Sequence, residues 1–434
     1  MKRIKKLLAV SAAIAISLSA AGCTKVSFIA ENENPYRGPS VYAEKEEDEK
    51  ETVKEAEKEK EDAVSDKAEE SADESTHENR EDAEISDMDI SALTEKLEKE
   101  DGFRDKEELE KEIERKKALT KAHEIERNRE LFEQRAAYNP EVHGPALDQN
   151  QPHNIPILIF HEIRKDYNGD IGVIISDKTF KEYMLYLKAL NFQTITFQDY
   201  LDYREGKKQI AQNSVIVTFD DGYCSNYKIA YPIMEKLGFK FTMSIVGRYI
   251  DNSKPEDWES KSLSFVTWDY AEEMEESGVV DIQAHTYNLH NEKNDAQNYL
   301  GGVMGVKGES EMAREGRIAG DDIEFQQKME LHIGHKANIF TYPFGFTDAF
   351  TDSVYKKRGY VYRLGTEEGI SDLRNSDIPL KRINTPVYET PVKVLKKMLT
   401  MMGRNSQLPF ENIGNQDERI NKLEEITGVS LEEF

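Results

Sequence analysis

Two aspartates stand side by side at the point where an apolar segment ends. Residues 215–219 are rich in β-branched and aromatic side chains, and Asp220, Asp221 and Gly222 follow them directly. Adjacent carboxylates repel each other unless a proton or a cation lies between them, so the pair could serve acid–base or metal chemistry. The alternative is an Asp-Gly turn in which one aspartate caps the next helix. Taken alone, the pair leaves both interpretations open.

A pair of histidines follows a second apolar segment. Residues 279–284 precede His285, and His290 comes five positions later. Side chains five apart on a helix point about 140° away from each other, which excludes a zinc motif on one helical face. On a loop that leaves a strand the two imidazoles can approach each other, and with one carboxylate they make the donor set of a catalytic zinc site. Isolated surface histidines are the alternative.

A tight turn follows a third apolar segment. Residues 339–342 lead into Pro343, Phe344 and Gly345. A Pro-aromatic-Gly sequence is typical of a tight, partly apolar turn. All three groups of residues therefore stand where a strand-like segment ends.

The elements that must position these groups alternate along residues 153–404. Apolar segments are followed by helical patterns, which predicts a largely parallel sheet with helices outside it. In such folds the ligand groups lie at the C-terminal ends of the strands. The polar stretch 291–320 predicts an inserted loop. The predicted strands are 155–160, 192–197, 214–219, 239–246, 279–284, 338–342 and 360–364, and the predicted helices include 178–190, 225–236, 267–277, 321–333 and 348–357.

In this order the three groups resemble the motifs of the NodB-homology polysaccharide deacetylases, carbohydrate esterase family 4. The Thr-Phe-Asp-Asp-Gly run at 218–222 resembles the first motif, the histidine pair the second and the turn at 342–345 the third. The family usually spaces its histidines by four, and the spacing of five here resembles the branch that deacetylates poly-N-acetylglucosamine. The resemblance covers residues 155–390 and implies an α/β fold, a distorted (β/α) barrel of about seven strands.

The resemblance also implies a role for each matching residue. Asp221, His285 and His290 would bind a divalent metal, and Asp220 would be the general base that takes a proton from water. Two histidines and one aspartate favour Zn²⁺, while Co²⁺, Ni²⁺ and Mn²⁺ also suit this donor set.

The turn after the third segment would face the substrate. The resemblance implies that the backbone N–H of Phe344 stabilises the oxyanion of the reaction, with Tyr342 and Pro343 beside it. Aromatic rings could also form a wall against which the sugar stacks, with core packing as the alternative for each ring. The candidates for that wall are Phe340, Tyr342, Phe344 and Trp268.

Two positions depart from the family pattern. The family often carries Arg in its third motif, where this chain has Thr341, and a His on its last strand, where residues 379–384 have none. His161, at the end of the first predicted strand, is the best-placed substitute for that general acid. A core or supporting histidine is the alternative. The departures motivate a second hypothesis, a glycan-binding lipoprotein with impaired catalysis.

The N-terminal segment resembles the export signal of bacterial lipoproteins. Positive charges at Lys2 to Lys6 precede an apolar run, 7–21, that is too short to span a bilayer comfortably, and small residues stand directly before Cys23. The resemblance implies a signal peptide over 1–22, a lipid on Cys23, and an exported protein anchored to the outer face of the cell membrane. A plain secretory signal is the alternative.

Much of the negative charge is confined to one segment. The 434 residues carry a formal net charge of −26, and residues 41–90 hold 22 acidic and 7 basic residues, net −15. This charge excludes nonspecific binding to nucleic acid. Segment 44–84 has no aromatic residue and cannot bury enough apolar surface to offset the entropy of ordering, which predicts a disordered acidic tether over residues 23–90. Residues 91–136 predict one or two solvated helices, which either dock on the next domain or extend the tether. Residues 405–434 predict a C-terminal tail with one short helical pattern.

These features together predict a metal-dependent hydrolase. We expect a monomer that removes N-acetyl groups from a cell-surface or cell-wall polysaccharide containing N-acetylglucosamine. A third hypothesis is an O-acetyl esterase acting on xylan-like glycans, because that chemistry needs less acid assistance at the leaving group.

Overall fold

The computed structural model describes residues 87–99, 103–255, 258, 263–291 and 302–433. Cys23, the predicted signal peptide and all but the end of the predicted tether lie outside this part of the chain. The chain divides into two compact units, one ending at Glu124 and the other running from Ile125 to Phe434. Helix α1 (Asp87–Glu98) belongs to the first unit, and helix α2 (Phe103–Ala136) runs through the boundary. Within the described residues, no helix is both long and apolar enough to cross a bilayer.

Among the described residues of the second unit, ten strands form the sheets. They are β1 (Ile157–Phe160), β2 (Glu162–Arg164), β3 (Ile174–Ser176), β4 (Gln193–Ile195), β5 (Ser214–Asp221), β6 (Phe241–Ile245), β7 (Val280–Ala284), β8 (Ile339–Thr341), β9 (Tyr362–Glu368) and β10 (Leu380–Asn384).

Seven of these strands close into a parallel barrel. β1 pairs with both β5 and β10, which completes the ring β1–β10–β9–β8–β7–β6–β5. β4 pairs with the first three residues of β5, and β2 pairs with β3 in a separate two-stranded sheet. The prediction of a (β/α) barrel of about seven strands is therefore confirmed. The ring brings the C-terminal ends of its strands to one face. Asp220 and Asp221 end β5 there, His161 follows β1, and His285 and His290 follow β7.

Helices surround the barrel and begin at recognisable capping residues. Several start directly after a Ser, Thr, Asp or Asn whose side chain accepts a hydrogen bond from the N–H three residues later. The helices capped in this way are α4 (Asp177–Ala189), α5 (Phe197–Arg204), α8 (Trp268–Glu276), α9 (Glu311–His332), α10 (Ala349–Lys357), α11 (Pro391–Met401) and α12 (Gln416–Thr427). The other described α-helices after α2 are α3 (Pro140–His143), α6 (Tyr231–Leu237) and α7 (Gly247–Asp251).

The start of α9 differs from the prediction. Residues 291–320 were expected to be a loop, but the helix begins at Glu311, ten residues before the predicted start. The buried face of α9 explains the error, because two of its five buried residues, Arg314 and Asp322, are charged. A search for apolar residues at helical spacing misses a face of this kind. Residues 292–301 lie outside the described part of the chain.

Polar side chains form hydrogen bonds inside the barrel. Ser244 of β6 hydrogen bonds Thr341 of β8 (Oγ–Oγ1 2.7 Å), and Arg382 of β10 reaches Thr218 of β5 (Nη1–Oγ1 3.3 Å). One strand lies between the partners in each pair, so both bonds cross the interior of the ring. All four residues are fully buried. These hydrogen bonds join strands across the interior near the end of the barrel where the site residues lie.

Candidate metal centre and active site

Asp221, His285 and His290 converge at the C-terminal face of the barrel. Asp221 ends β5, and the histidines follow β7, with β6 between the two strands. Asp221 Oδ1 lies 3.2 Å from His285 Nε2 and 3.0 Å from His290 Nε2. One donor atom from each residue lies within 4.8 Å of the other two. We call these three residues the metal-site cluster.

The hydrogen bonds of His285 fit a cation at this position. Its Nδ1 lies 2.8 Å from the carbonyl oxygen of Thr341, which can only accept, so Nδ1 must carry the proton. In the neutral ring Nε2 then presents a lone pair to the Asp221 carboxylate. A lone pair and a carboxylate 3.2 Å apart need a cation between them or a second proton on the ring. Orientation of a ligand histidine through its other nitrogen is typical of metal sites.

The electrostatics of the cluster agree with this interpretation. Burial alone would raise the pKa of Asp221, but the hydrogen bonds and charges of the two histidines outweigh burial and hold the pKa well below its usual range. Burial would lower the pKa of His285, but the neighbouring Asp221 and Asp220 carboxylates outweigh it and raise the pKa. The cluster therefore attracts positive charge, whether protons or a metal ion.

Asp220 is held by an arginine that the sequence analysis missed. Arg382 Nη1 and Nη2 each donate to one carboxylate oxygen of Asp220 at 2.8 Å, and both side chains are buried. Burial would raise the pKa of Asp220, but the arginine charge and hydrogen bonds lower it, so the group is a carboxylate at neutral pH. The available signal was an arginine inside the strand-like run 380–384. Arg382 thus stands in for the arginine expected at Thr341.

His161 lies beside Asp220 at the mouth of the barrel. Its Nε2 is 3.9 Å from Asp220 Oδ2, and its side chain is 21% exposed. Burial lowers the pKa of His161 and outweighs the opposing effect of the nearby aspartates. The imidazole is therefore neutral at pH 7 and borders the same space as Asp220.

The turn at 342–345 brings one aromatic ring to the cluster. Phe344 has a left-handed backbone (φ 58°), packs its ring 4.6 Å from that of His290 and is 37% exposed. The turn's hydrogen bonds run from Gly345 N–H to Tyr342 O and from Phe346 N–H to Pro343 O, so neither of them uses the Phe344 N–H.

The other aromatic candidates belong to the core. Tyr342 is fully buried and its hydroxyl donates to Asp352, while Phe340 stacks on Tyr355 at 3.6 Å. Trp268 is buried and donates to Asp251. Tyr342, Phe340 and Trp268 are therefore core residues, which was the alternative to a sugar-stacking wall. Pro343 is also buried, beneath the turn.

Comparisons with known proteins identify a family. Residues 207–363 match the family model described as polysaccharide deacetylase. YxkH of Bacillus subtilis, a protein named for this family, is 27% identical over 237 residues, covering 55% of this chain and 73% of that protein. The poly-beta-1,6-N-acetyl-D-glucosamine N-deacetylase of Staphylococcus epidermidis is 23% identical over 252 residues, covering 54% and 81%.

Two further proteins are similar to this chain, one over a smaller share of its own length and the other with a low TM-score. The Escherichia coli enzyme of the same name is 22% identical over 249 residues, covering 53% of this chain but only 36% of its own length. The solved structure of a de-N-acetylase from Aggregatibacter actinomycetemcomitans is similar with a TM-score of 0.46 and 24% identity, covering 52% of this chain and 93% of that one. Together with the seven-stranded barrel and its ordered motifs, the family match shows that this chain contains a domain of the polysaccharide deacetylase family, a family of hydrolases.

Proposed function

We propose that this protein is a metal-dependent hydrolase that removes N-acetyl groups from a polysaccharide containing N-acetylglucosamine. The observation that carries the proposal is the metal-site cluster standing next to Asp220, which Arg382 holds as a buried carboxylate. The printed names of the relatives in Staphylococcus epidermidis and Escherichia coli support the same substrate class.

The donor set of the cluster suits a divalent metal. Asp221, His285 and His290 supply one carboxylate oxygen and two imidazole nitrogens, which favours Zn²⁺ and is compatible with Co²⁺, Ni²⁺ or Mn²⁺. A cation held there would lower the pKa of a water molecule and polarise the acetamide carbonyl.

Asp220 acts as the general base in this proposal. Arg382 keeps it ionised and fixes both of its oxygens, so the carboxylate is ready to accept a proton from the attacking water. The water oxygen bonds to the acetamide carbon, and the carbonyl oxygen becomes an oxyanion. The N–H of Phe344, which neither hydrogen bond of the turn uses, would help to stabilise that charge.

His161 completes the proton path. Because it is neutral at rest, it cannot donate a proton until it has received one. Asp220 Oδ2 lies 3.9 Å away, close enough for a small movement to pass on the proton taken from water. His161 then protonates the sugar nitrogen as the C–N bond breaks, leaving acetate and a free amine.

The test is acetate release from poly-N-acetylglucosamine or chitooligosaccharides by the metal-loaded protein. We expect Asp220→Asn to lower kcat by roughly 10²- to 10⁴-fold, and His285→Ala and treatment with a chelator to abolish turnover. Glu311→Gln, at an exposed position in the first turn of α9, is the control and should turn over like the wild type. Unchanged rates in Asp220→Asn and His285→Ala would refute the proposal.

The competing hypotheses give different results in the same assay. Impaired catalysis was motivated by a missing arginine and a missing histidine, but Arg382 and His161 now stand beside the base. Glycan binding without acetate release on any substrate would restore that hypothesis. Faster release from acetylxylan than from N-acetylglucosamine polymers would favour an O-acetyl esterase.

The proposal also includes the location of the protein in the cell. A lipid on Cys23 would anchor a monomeric enzyme to the outer face of the membrane, where its polymer lies; the signal-like residues before Cys23 support this. Incorporation of labelled palmitate into the wild type but not into Cys23→Ser is the expected result. Equal labelling, or none in either protein, would refute the anchor.

A further inference from the structure

A carboxylate from another helix holds the loop between the two metal-site histidines. We call residues 286–289 the histidine loop. The backbone N–H groups of Tyr287 and Asn288 donate to Asp321 Oδ2 and Oδ1 at 2.8 and 2.7 Å. Asp321 belongs to α9, more than thirty residues further along the chain. One side chain therefore satisfies two consecutive amides of the loop.

The opposite side of the loop rests on the short helix α7. The N–H of Gly247 donates to Thr286 O at 3.1 Å, and the N–H of Arg248 donates to Tyr287 O at 2.7 Å. The hydroxyl of Tyr249 donates to His290 O at 3.1 Å. The loop is thus held through its carbonyls by α7 and through its amides by Asp321.

The loop contains a backbone conformation that needs outside support. Thr286 has φ 74°, in the left-handed region. For a β-branched residue this conformation is a genuine, strained outlier. It persists only where the surrounding contacts determine it. The two hydrogen bonds to Asp321 begin at the residue directly after Thr286, so they are well placed to maintain it.

We propose that Asp321 is a positioning residue that fixes the spacing of His285 and His290 for the cation. The inference rests on the proposed function, because it concerns the metal of that same site. Asp321 does not touch either histidine ligand; it acts through the backbone between them. Residues that orient metal ligands in this indirect way typically affect metal affinity as well as activity.

The experiment compares Asp321 with its neighbour Asp322. Asp322 is a buried carboxylate of the same helix, but it pairs with Arg358 and Tyr360 and makes no contact with the histidine loop. Zn²⁺ affinity is measured by competition with a chromophoric chelator, together with kcat, KM and the unfolding midpoint. The titrations are run at pH 8, above the pKa of about 7 to which burial raises Asp321.

Substitution of Asp321 should change the metal affinity, whereas substitution of Asp322 should change the stability. We expect Asp321→Ala to weaken Zn²⁺ binding about ten- to a hundredfold and to lower kcat more than it raises KM. Asp321→Asn should lie between, because its amide group can accept from only one of the two N–H groups. Asp322→Asn should lower the unfolding midpoint and leave Zn²⁺ affinity within twofold.

A second substitution tests the proposed cause. Thr286→Asn places in the loop a residue that tolerates the left-handed region. Combined with Asp321→Ala, it should recover part of the lost Zn²⁺ affinity. Wild-type Zn²⁺ affinity in folded Asp321→Ala, or equal losses in Asp321→Asn and Asp322→Asn, would overturn the inference. If the wild type binds Zn²⁺ but releases no acetate, the proposed function fails while the affinity comparison still decides the role of Asp321.

Discussion

Two fully buried arginines each form an ion pair with an aspartate inside this molecule. Arg382 holds Asp220 inside the barrel, and Arg363 holds Asp352 in the same two-pronged way, with distances of 3.0 and 3.1 Å. Removing one partner from such a pair leaves an uncompensated buried charge, which destabilises proteins strongly. Only the Arg382 pair borders the metal-site cluster, so the two arginines allow structural and chemical effects to be separated.

Arg382→Lys should reduce turnover beyond its effect on stability. Lysine keeps the charge but cannot engage both oxygens of Asp220 at once. We expect kcat per folded molecule to fall by about ten- to a hundredfold. Arg363→Lys is the control and should lower the unfolding midpoint comparably without changing kcat. Equal kcat values in the two variants would contradict a positioning role for Arg382.

The residues of the site differ in how far the sequence predicts them. Asp220, Asp221, His285 and His290 stand next to each other or five apart after strand-like segments, so local patterns suffice to find them. Arg382 acts on a carboxylate 162 residues earlier in the chain, and only closure of the barrel brings the two together. Nothing in the local pattern of a residue specifies a partner across the interior of a ring.

His335 should make stability depend on pH. The hydrogen bond that His335 Nε2 donates to Glu275, together with the charge of that carboxylate, raises the pKa of His335 to about 9, above the ordinary value of a histidine. Because the folded pKa is the higher one, the stabilisation is complete below about pH 6.5 and is lost as the pH rises through about 9. The side chain is 43% exposed, so solvent screening keeps the contribution below about 1 kcal/mol.

The measurement is urea unfolding of the wild type and His335→Gln at pH 6 and pH 10. We expect the wild type to be the more stable protein at pH 6 and the difference to disappear at pH 10. A difference that stays constant across this range would mean that the ion pair with Glu275 contributes nothing measurable.

At the scale of elements, the five-residue helix α7 supports the histidine loop of the metal-site cluster. It carries Gly247 against Thr286 of the histidine loop and ends at Asp251, which accepts a hydrogen bond from Tyr287 Oη at 2.8 Å. The close approach depends on the absence of a side chain at Gly247, where a Cβ would lie 2.6 Å from the Tyr287 ring.

Gly247→Ala should disturb the site, whereas another glycine-to-alanine change should not. The added methyl group must displace Tyr287, whose hydroxyl is bonded to Asp251, so we expect a loss of about 1–3 kcal/mol and weaker Zn²⁺ binding. Gly316→Ala, at an exposed position of α9 with open space around it, should stabilise by about 0.5–1 kcal/mol. Thermal unfolding and zinc competition measure both effects; normal Zn²⁺ affinity in Gly247→Ala would contradict this supporting role of α7.

At the scale of the whole molecule, the end of α2 belongs to the unit that contains the barrel. Phe132 and Ala136 are part of its main core, and Glu133 pairs with Lys240 at 2.8 Å. The sequence predicts residues 91–136 as solvated helices because apolar side chains are sparse there. A few well-spaced apolar residues are nevertheless enough to dock the last turns of this helix.

Phe132→Ala and Leu131→Ala test this docking as a matched pair. Phe132 is buried, while Leu131 beside it is 52% exposed. We expect Phe132→Ala to lower the free energy of unfolding by roughly 3–5 kcal/mol and Leu131→Ala to change it by less than about 0.5 kcal/mol. Chemical denaturation measures both. Equal small effects would mean that the helix end contributes little to the unit.

Closure of the ring has a consequence for the life of the nascent chain. β1 pairs with β10 through Leu158 and Ile383, so one edge of the first barrel strand stays open until the last has been synthesised. Open edges invite wrong partners, and pairings this distant in sequence form slowly. Arg382 lies on β10, so Asp220 cannot form its ion pair until β10 has been synthesised. We therefore expect a message truncated before codon 380 to yield an inert and aggregation-prone product.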